Sequence, residues 1–238
     1  MSPINRNPLP LGMGSIKICI SGPACSGKSH FINRMKDKSF VTGYPESSRK
    51  VWTDFPEYRT PLNAFRKKIC ELQTDLESIP LIGRSSCGIH DRGIMDNLTF
   101  LYMHDEELFE KEIRRIAGLY DSGNITPYDL IIYFDVDITR GITPLIKKAL
   151  DDPLRGATID VKNYASHVVE FRNAFIEVKN RFNYLNTDVK FIIARPAAED
   201  MDKRNELAEH FIVNFFERSE KNAKSGIKRI LRPFSGNI

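Results

Sequence analysis

Residues Gly22 to Ser29 read Gly-Pro-Ala-Cys-Ser-Gly-Lys-Ser, the pattern G-x-x-x-x-G-K-[ST] of a phosphate-binding loop. Its flanks constrain the fold. Upstream, Ser15-Ile-Lys-Ile-Cys-Ile-Ser21 is short, β-branched and apolar, as a buried strand is. Downstream, His30-Phe-Ile-Asn-Arg-Met-Lys36 spaces its apolar residues as a helix does. Strand, glycine loop and helix are the frame in which backbone N–H groups and a helix N-terminus can wrap phosphate oxygens. Gly22, Pro23, Ala24, Cys25, Ser26, Gly27, Lys28, Ser29 and His30 are therefore read as nucleotide contacts. Lys28 is expected at the β- and γ-phosphates, and the Ser29 hydroxyl on Mg²⁺.

Around this frame, five strand candidates alternate with helical stretches: 16–21, 40–44, 86–90, 130–134 and 189–194. Helical patterns cover 28–36, 61–78, 96–119, 143–150 with 161–183, and 198–221. Such alternation predicts right-handed crossovers and an α/β fold with a three-layer, doubly wound, parallel five-stranded sheet. The expected organisation is a loose leader over 1–14, one P-loop domain over 15–221 with a lid-like segment near 140–160, and a basic tail over 222–238. The chain has 238 residues, 41% of them hydrophobic and 28% charged, which suits one such domain. No apolar stretch approaches a membrane span, and the first ten residues lack a signal-peptide core. Cys19, Cys25, Cys70 and Cys87 have no metal-type spacing, so reduced thiols and a cytoplasmic setting are expected. The net charge of +4 decides little. In the tail, Lys221, Lys224, Lys228, Arg229 and Arg232 follow Glu220 with no acid among them. A solvated basic end is preferred there to a nucleic-acid contact.

Ligands in doubly wound sheets lie beyond the carboxyl ends of the strands. After the second strand comes Pro45-Glu46-Ser-Ser-Arg49, for which the alternative to a site is an exposed turn carrying a Glu-Arg surface pair. Glu46 is placed to accept the proton of an acceptor hydroxyl, and Arg49 to hold an acceptor phosphate or carboxylate. After the third comes Asp91-Arg92-Gly93-Ile-Met-Asp96. Asp91 is read as metal ligand or base, Arg92 as a neutraliser of phosphate charge, and Asp96 as a helix cap. Arg59 and Gln73 are read equally as substrate contacts and as surface residues. Thr60-Pro61 is read as a cap with proline at the first helical position. Arg155, in a Pro- and Gly-containing loop, is the candidate to close over the transferred phosphate.

Together, the phosphate loop, Pro45-Glu46-x-x-Arg49, Asp91-Arg92-Gly93-x-x-Asp96 and Tyr128-Asp129-Leu-Ile-Ile-Tyr-Phe-Asp135-Val-Asp137 resemble the small P-loop kinases. Thymidylate kinases, deoxynucleoside kinases and the nicotinamide-riboside-kinase-like ATPase group share this layout. Glu46 with Trp52 nearby resembles the base-bearing segment of deoxynucleoside kinases, whose Asp/Glu-Arg-Ser motif becomes Asp91-Arg92-Gly93 here. Phe55-Pro56-Glu57-x-Arg59-Thr60 resembles the phosphate-reading segment of thymidylate kinases. The resemblance implies Mg²⁺- and ATP-dependent phosphoryl transfer to a small acceptor, a nucleoside or, as in thymidylate kinases, a nucleoside monophosphate. A homodimer stays open. The alternative is a nucleotide-hydrolysing switch that acts with a nucleic acid or a protein.

Overall fold

The computed structural model describes residues 15–79, 86–136, 146–147, 150–151, 162–182, 190–194 and 201–224. Five strands, β1 (Ile16–Ser21), β2 (Val41–Tyr44), β3 (Cys87–Asp91), β4 (Leu130–Phe134) and β5 (Lys190–Ala194), form a sheet in the order β2-β3-β1-β4-β5. Every pairing is parallel. Among the described residues the helices are α1 (Lys28–Met35), α2 (Ser47–Asp54), α3 (Leu62–Glu77), α4 (Ile94–His104), α5 (Glu106–Asp121), α6 (Tyr164–Arg181) and α7 (Met201–Lys224).

Alternation along the central strands sends side chains to two faces. Ile16, Ile18 and Ile20 join Leu130, Ile132 and Phe134 on one face, against Phe31, Ile32 and Met35 of α1 and Ala208, Ile212 and Phe216 of α7. Cys19, Ile131 and Tyr133 face the other way, against Met95 and Leu98 of α4, Phe109 of α5, and Phe171 and Phe175 of α6. Both faces of the central strands are thus covered, which is why β1, β3 and β4 are buried throughout rather than amphipathic. The chain leaves β1 for one side of the sheet and returns to its other side at β4, so the strand order reverses beside β1. A crevice for ligands opens at such a reversal.

Four features differ from the sequence expectation. The segment after β2, given no helical pattern in the sequence, is helical: α2 begins at Ser47, with Glu46 at its N-cap, and at 8 residues is too short to announce itself. The single helix expected over 96–119 is two. Asp105 leaves helical geometry (φ −160°, ψ 80°), and its carboxylate caps α5 by accepting from the Leu108 N–H at 3.1 Å. Pro61 is the N-cap of α3 rather than its first residue. Helix α7 continues to Lys224, so the segment assigned to a tail from residue 222 starts as helix. Residues 1–14, the 152–161 stretch with Arg155, and 225–238 lie outside the described residues. No described helix is long and apolar enough to cross a membrane.

Candidate active site

The phosphate loop turns between β1 and α1 through three left-handed residues: Gly22 (φ 133°), Cys25 (φ 60°) and Gly27 (φ 83°). At Gly22 a side chain is excluded twice over. Its φ is unfavourable for other residues, and a Cβ would lie 2.2 Å from the Phe134 carbonyl oxygen of β4. Gly27 sits at the N-terminus of α1 and Lys28 is its first residue. The Lys28 ammonium is buried and folded back into the loop, donating to the carbonyls of Gly22 (3.0 Å) and Pro23 (2.7 Å) and to Ser26 Oγ (3.2 Å). Burial, then the nearby Arg92 charge, lower it to about 7. These are the carbonyls it must release to reach a nucleotide phosphate.

Ser29 Oγ donates to Asp91 Oδ2 at 2.6 Å and accepts from Arg49 Nη2 at 2.8 Å. Asp91 ends β3 beside the loop, and its second oxygen, Oδ1, is buried without a hydrogen bond. A hydroxyl and a carboxylate with one oxygen open fit a hard divalent cation, with Ser29 and Asp91 as the residues that would hold Mg²⁺. Among the described residues no three His, Cys, Asp or Glu side chains could hold a metal by themselves.

Glu46 and Arg92 face each other across the strand ends. Arg92 Nε lies 3.1 Å from Glu46 Oε1, and Arg49 Nε 3.2 Å from Glu46 Oε2. Ser48 also donates to Glu46, at 2.6 Å. Burial would push the Glu46 carboxyl up, but Arg92, then Lys28, Ser48 and Arg49, outweigh it and hold it at about 2. Arg92 itself is left-handed (φ 68°), stretched over the rings of Phe100 (5.1 Å) and Phe171 (5.7 Å). Its Nε and Nη1 lack well-aligned hydrogen bonds although carboxylates are near. A strained residue with unsatisfied buried donors is characteristic of a ligand site.

Asp96 acts as a cap. It is fully buried and accepts from the Gly93 N–H at 3.1 Å, from Ser21 Oγ and from the Gly22 N–H at 3.5 Å, tying the start of α4 to the phosphate loop. Gly93 leaves no room for a side chain, because a Cβ there would lie 2.2 Å from the Tyr128 hydroxyl. Two other candidates fall away from the cleft. Arg59 donates twice to the Trp52 carbonyl (3.0 and 2.7 Å) and lies on the Trp52 ring. Gln73 is buried behind Arg92, with its amide on Glu77 (3.0 Å) and on the Arg92 carbonyl (3.5 Å). Neither lines the cavity, because their donors are taken up by the protein. Asp135 is paired with Arg172 at 2.6 Å.

Beyond the loop a cavity of about 700 Å³ runs from Lys28, Ser29 and exposed His30 past Glu46, Arg49 and Arg92. Its far wall combines Leu62, Phe65 and Ile69 of α3 and Phe100 and Leu101 of α4 with the basic side chains of Arg66, His104 and His167. Asn97 lies in that wall, 7% exposed, with Nδ2 lacking any partner. None of these wall residues was singled out from the sequence. The signal was present: 62, 65, 66, 69 and 97, 100, 101, 104 are each spaced as one helix face.

A family model described as an AAA domain matches residues 17–190. No curated protein matches the chain. Among solved structures, the chain is similar to deoxyadenosine kinase from M. mycoides with the products dCMP and a flexible dCDP bound, with a TM-score of 0.57 and 18% identity, over 84% of this chain and 100% of that chain. The same enzyme with bound dCTP gives 0.56 and 18%, over 84% and 100%. With bound dATP it gives 0.54 and 15%, over 83% and 99%. At these identities the likeness is one of fold.

Proposed function

The chain belongs to the AAA domain family, and from that premise we propose that it is an ATP- and Mg²⁺-dependent kinase whose acceptor is a nucleoside or nucleoside monophosphate. The observation that carries the reading is the continuity of the cleft. One cavity joins Lys28 and Ser29, which suit a nucleotide, to Glu46 and the apolar side chains of the far wall, which suit a flat acceptor ring. Of the basic residues that would favour a nucleotide-hydrolysing switch, Lys221 and Lys224 close α7, and Lys228, Arg229 and Arg232 lie outside the described residues.

In this reading the γ-phosphoryl group sits between Lys28 and Arg92. The acceptor hydroxyl faces Glu46, which stays ionised because its carboxyl is held at about 2. So acidic a group is a weak base. Phosphoryl transfer through a loose transition state needs an oriented hydroxyl more than a strong base. Glu46 therefore aligns the hydroxyl and takes its proton as the O–Pγ bond forms and the bridge to ADP breaks. Arg92 and the protonated Lys28 balance charge on the transferring group. Mg²⁺, where Ser29 and Asp91 would hold it, supplies further neutralisation of the phosphates. Arg59 is bound to Trp52 and plays no part in either acceptor class, whereas Arg49 and Arg66 line the cavity and suit an acceptor phosphate.

The test is a panel of nucleosides and nucleoside monophosphates incubated with ATP and Mg²⁺, with products identified by mass. A mass gain of one phosphoryl group on one acceptor class, matched by ADP, is expected. ADP formation that ignores every acceptor would overturn the reading.

A further inference from the structure

Two residues outside the cleft reach the phosphate loop from separate helices. Tyr164, the first residue of α6, donates its hydroxyl to the Ala24 carbonyl at 2.9 Å. Arg204 of α7 donates Nη1 to the Ser26 carbonyl at 2.8 Å. The residue between these two carbonyls is Cys25, held at φ 60°. For a residue with a side chain, the left-handed conformation costs on the order of 1–2 kcal/mol, and it persists only where the surroundings impose it. Alternating right- and left-handed residues are also what turn successive N–H groups inward into an anion-binding nest.

Both contacts are rigidly based. Arg204 is 5% exposed, with its guanidinium 4.2 Å over the Phe134 ring and Nη2 on Asn205 Oδ1 at 3.0 Å. Burial lowers its pKa to about 10, which leaves it charged at neutral pH. One turn further along α7, Glu209 pairs with Arg34 (2.9 Å) and Lys38 (2.7 Å), on and just after α1. Tyr164 packs with Val168 against Ala24, Cys25 and Val136. The bonds that Lys28 makes to the loop carbonyls are of another kind, because Lys28 must give them up when phosphate arrives. The bonds from Tyr164 and Arg204 need not change.

We infer that Tyr164 and Arg204 are positioning residues of the nucleotide site, which hold Cys25 in the left-handed conformation that shapes the loop for phosphate. This rests on the reading that the loop binds ATP. The two side chains touch no reacting atom. They act through the carbonyls on either side of Cys25.

The experiment measures the Kd of ATP·Mg²⁺ by calorimetry for the full chain, Tyr164→Phe and Arg204→Met, each alone and with Cys25→Gly. Both substitutions keep most of the packing volume, and Tyr164→Phe removes only a hydroxyl. Each is expected to weaken ATP binding about five- to tenfold and to leave the acceptor KM within twofold. In a chain carrying Cys25→Gly, the same substitutions should cost less than twofold, because glycine adopts φ 60° unaided. A merely structural role would lower the melting temperature without that relief by glycine. Unchanged Kd in both variants, or an equal loss with and without the Cys25→Gly substitution, would overturn the inference alone. A wild-type chain that binds no ATP would overturn the donor-site reading and this inference with it.

Discussion

Two buried charge clusters sit among the described residues of this sheet, and in only one is every polar atom of the charged pair bonded, although Gln73 Oε1 and His90 Nδ1 beside that pair are not. Behind the cleft, Lys17 of β1 meets Glu77 of α3 at 3.0 Å, with side-chain exposures of 5% and 0%. Lys17 also donates to the Thr126 carbonyl at 2.9 Å and lies over the Tyr128 ring. Glu77 accepts further from Gln73 at 3.0 Å, the Ile94 N–H at 2.8 Å and the Tyr128 hydroxyl. Burial would push its carboxyl up, but Lys17 and then His90, Tyr128 and Gln73 hold it down. In the cleft, Lys28, Glu46, Asp91 and Arg92 are as deeply buried, yet Arg92 Nε and Nη1 and Asp91 Oδ1 are left without hydrogen bonds, and Asn97 Nδ2 beside them is too. Burial of charge alone does not mark a functional site. A buried pair whose own polar atoms are all bonded acts as a fastening, whereas unsatisfied atoms that converge on a cavity mark a place for a ligand.

Substitutions should separate the two clusters. The largest effect is expected from Lys28→Met, which should lower kcat about 10³-fold or more without lowering the melting temperature. Its ammonium is held at about 7 in the fold against an ordinary 10.5, so the unfolded chain binds the extra proton between those values. The Lys28 contribution to stability therefore rises with pH from about 7 upward, and the difference between wild type and Lys28→Met in denaturant melts should show that slope. Next, Glu77→Gln should cost about 3–5 kcal/mol of stability by stranding Lys17, while kcat per folded molecule stays within about twofold of wild type, a scale set by its distance from any reacting atom. Glu46→Gln should lower kcat about 10²-fold and keep ATP affinity. Because Arg92 and its neighbours hold the Glu46 carboxyl at about 2, it should also cost stability, a loss present at neutral pH that fades as the pH falls from the ordinary carboxylate range toward 2. The smallest effect belongs to Arg59→Ala. It should change stability by about 0.5 kcal/mol and leave the acceptor KM where it was. A large rise in that KM would return Arg59 to the substrate.

Local pattern made the donor half of the cleft readable. The loop needs contiguous residues in a fixed frame, and Glu46, Asp91 and Arg92 sit where strand ends must converge. What escaped reading depends on pairings between distant segments. Lys17 and Glu77 are 60 residues apart, and Arg204 reaches Ser26 across 178. No periodicity encodes such contacts. Gln73, read equally as a substrate contact and as a surface residue, is buried behind Arg92 with its amide on the Arg92 carbonyl. Helix α2 was hidden by its length, and the break at Asp105 by an apolar spacing that continues in register past it. The cavity wall on α3 and α4 is legible as helical stripes. Only the sheet order shows that these stripes line a cavity instead of the core.

The central claim is that the open cluster serves transfer to an acceptor. ADP release by the wild-type chain, with ATP and Mg²⁺, measured with and without a saturating nucleoside, tests it most directly. At least tenfold stimulation by one nucleoside, a threshold of about 1.4 kcal/mol, is predicted, and Glu46→Gln should abolish the stimulation. Equal ADP release with and without every acceptor, unaffected by Glu46→Gln, would contradict the account.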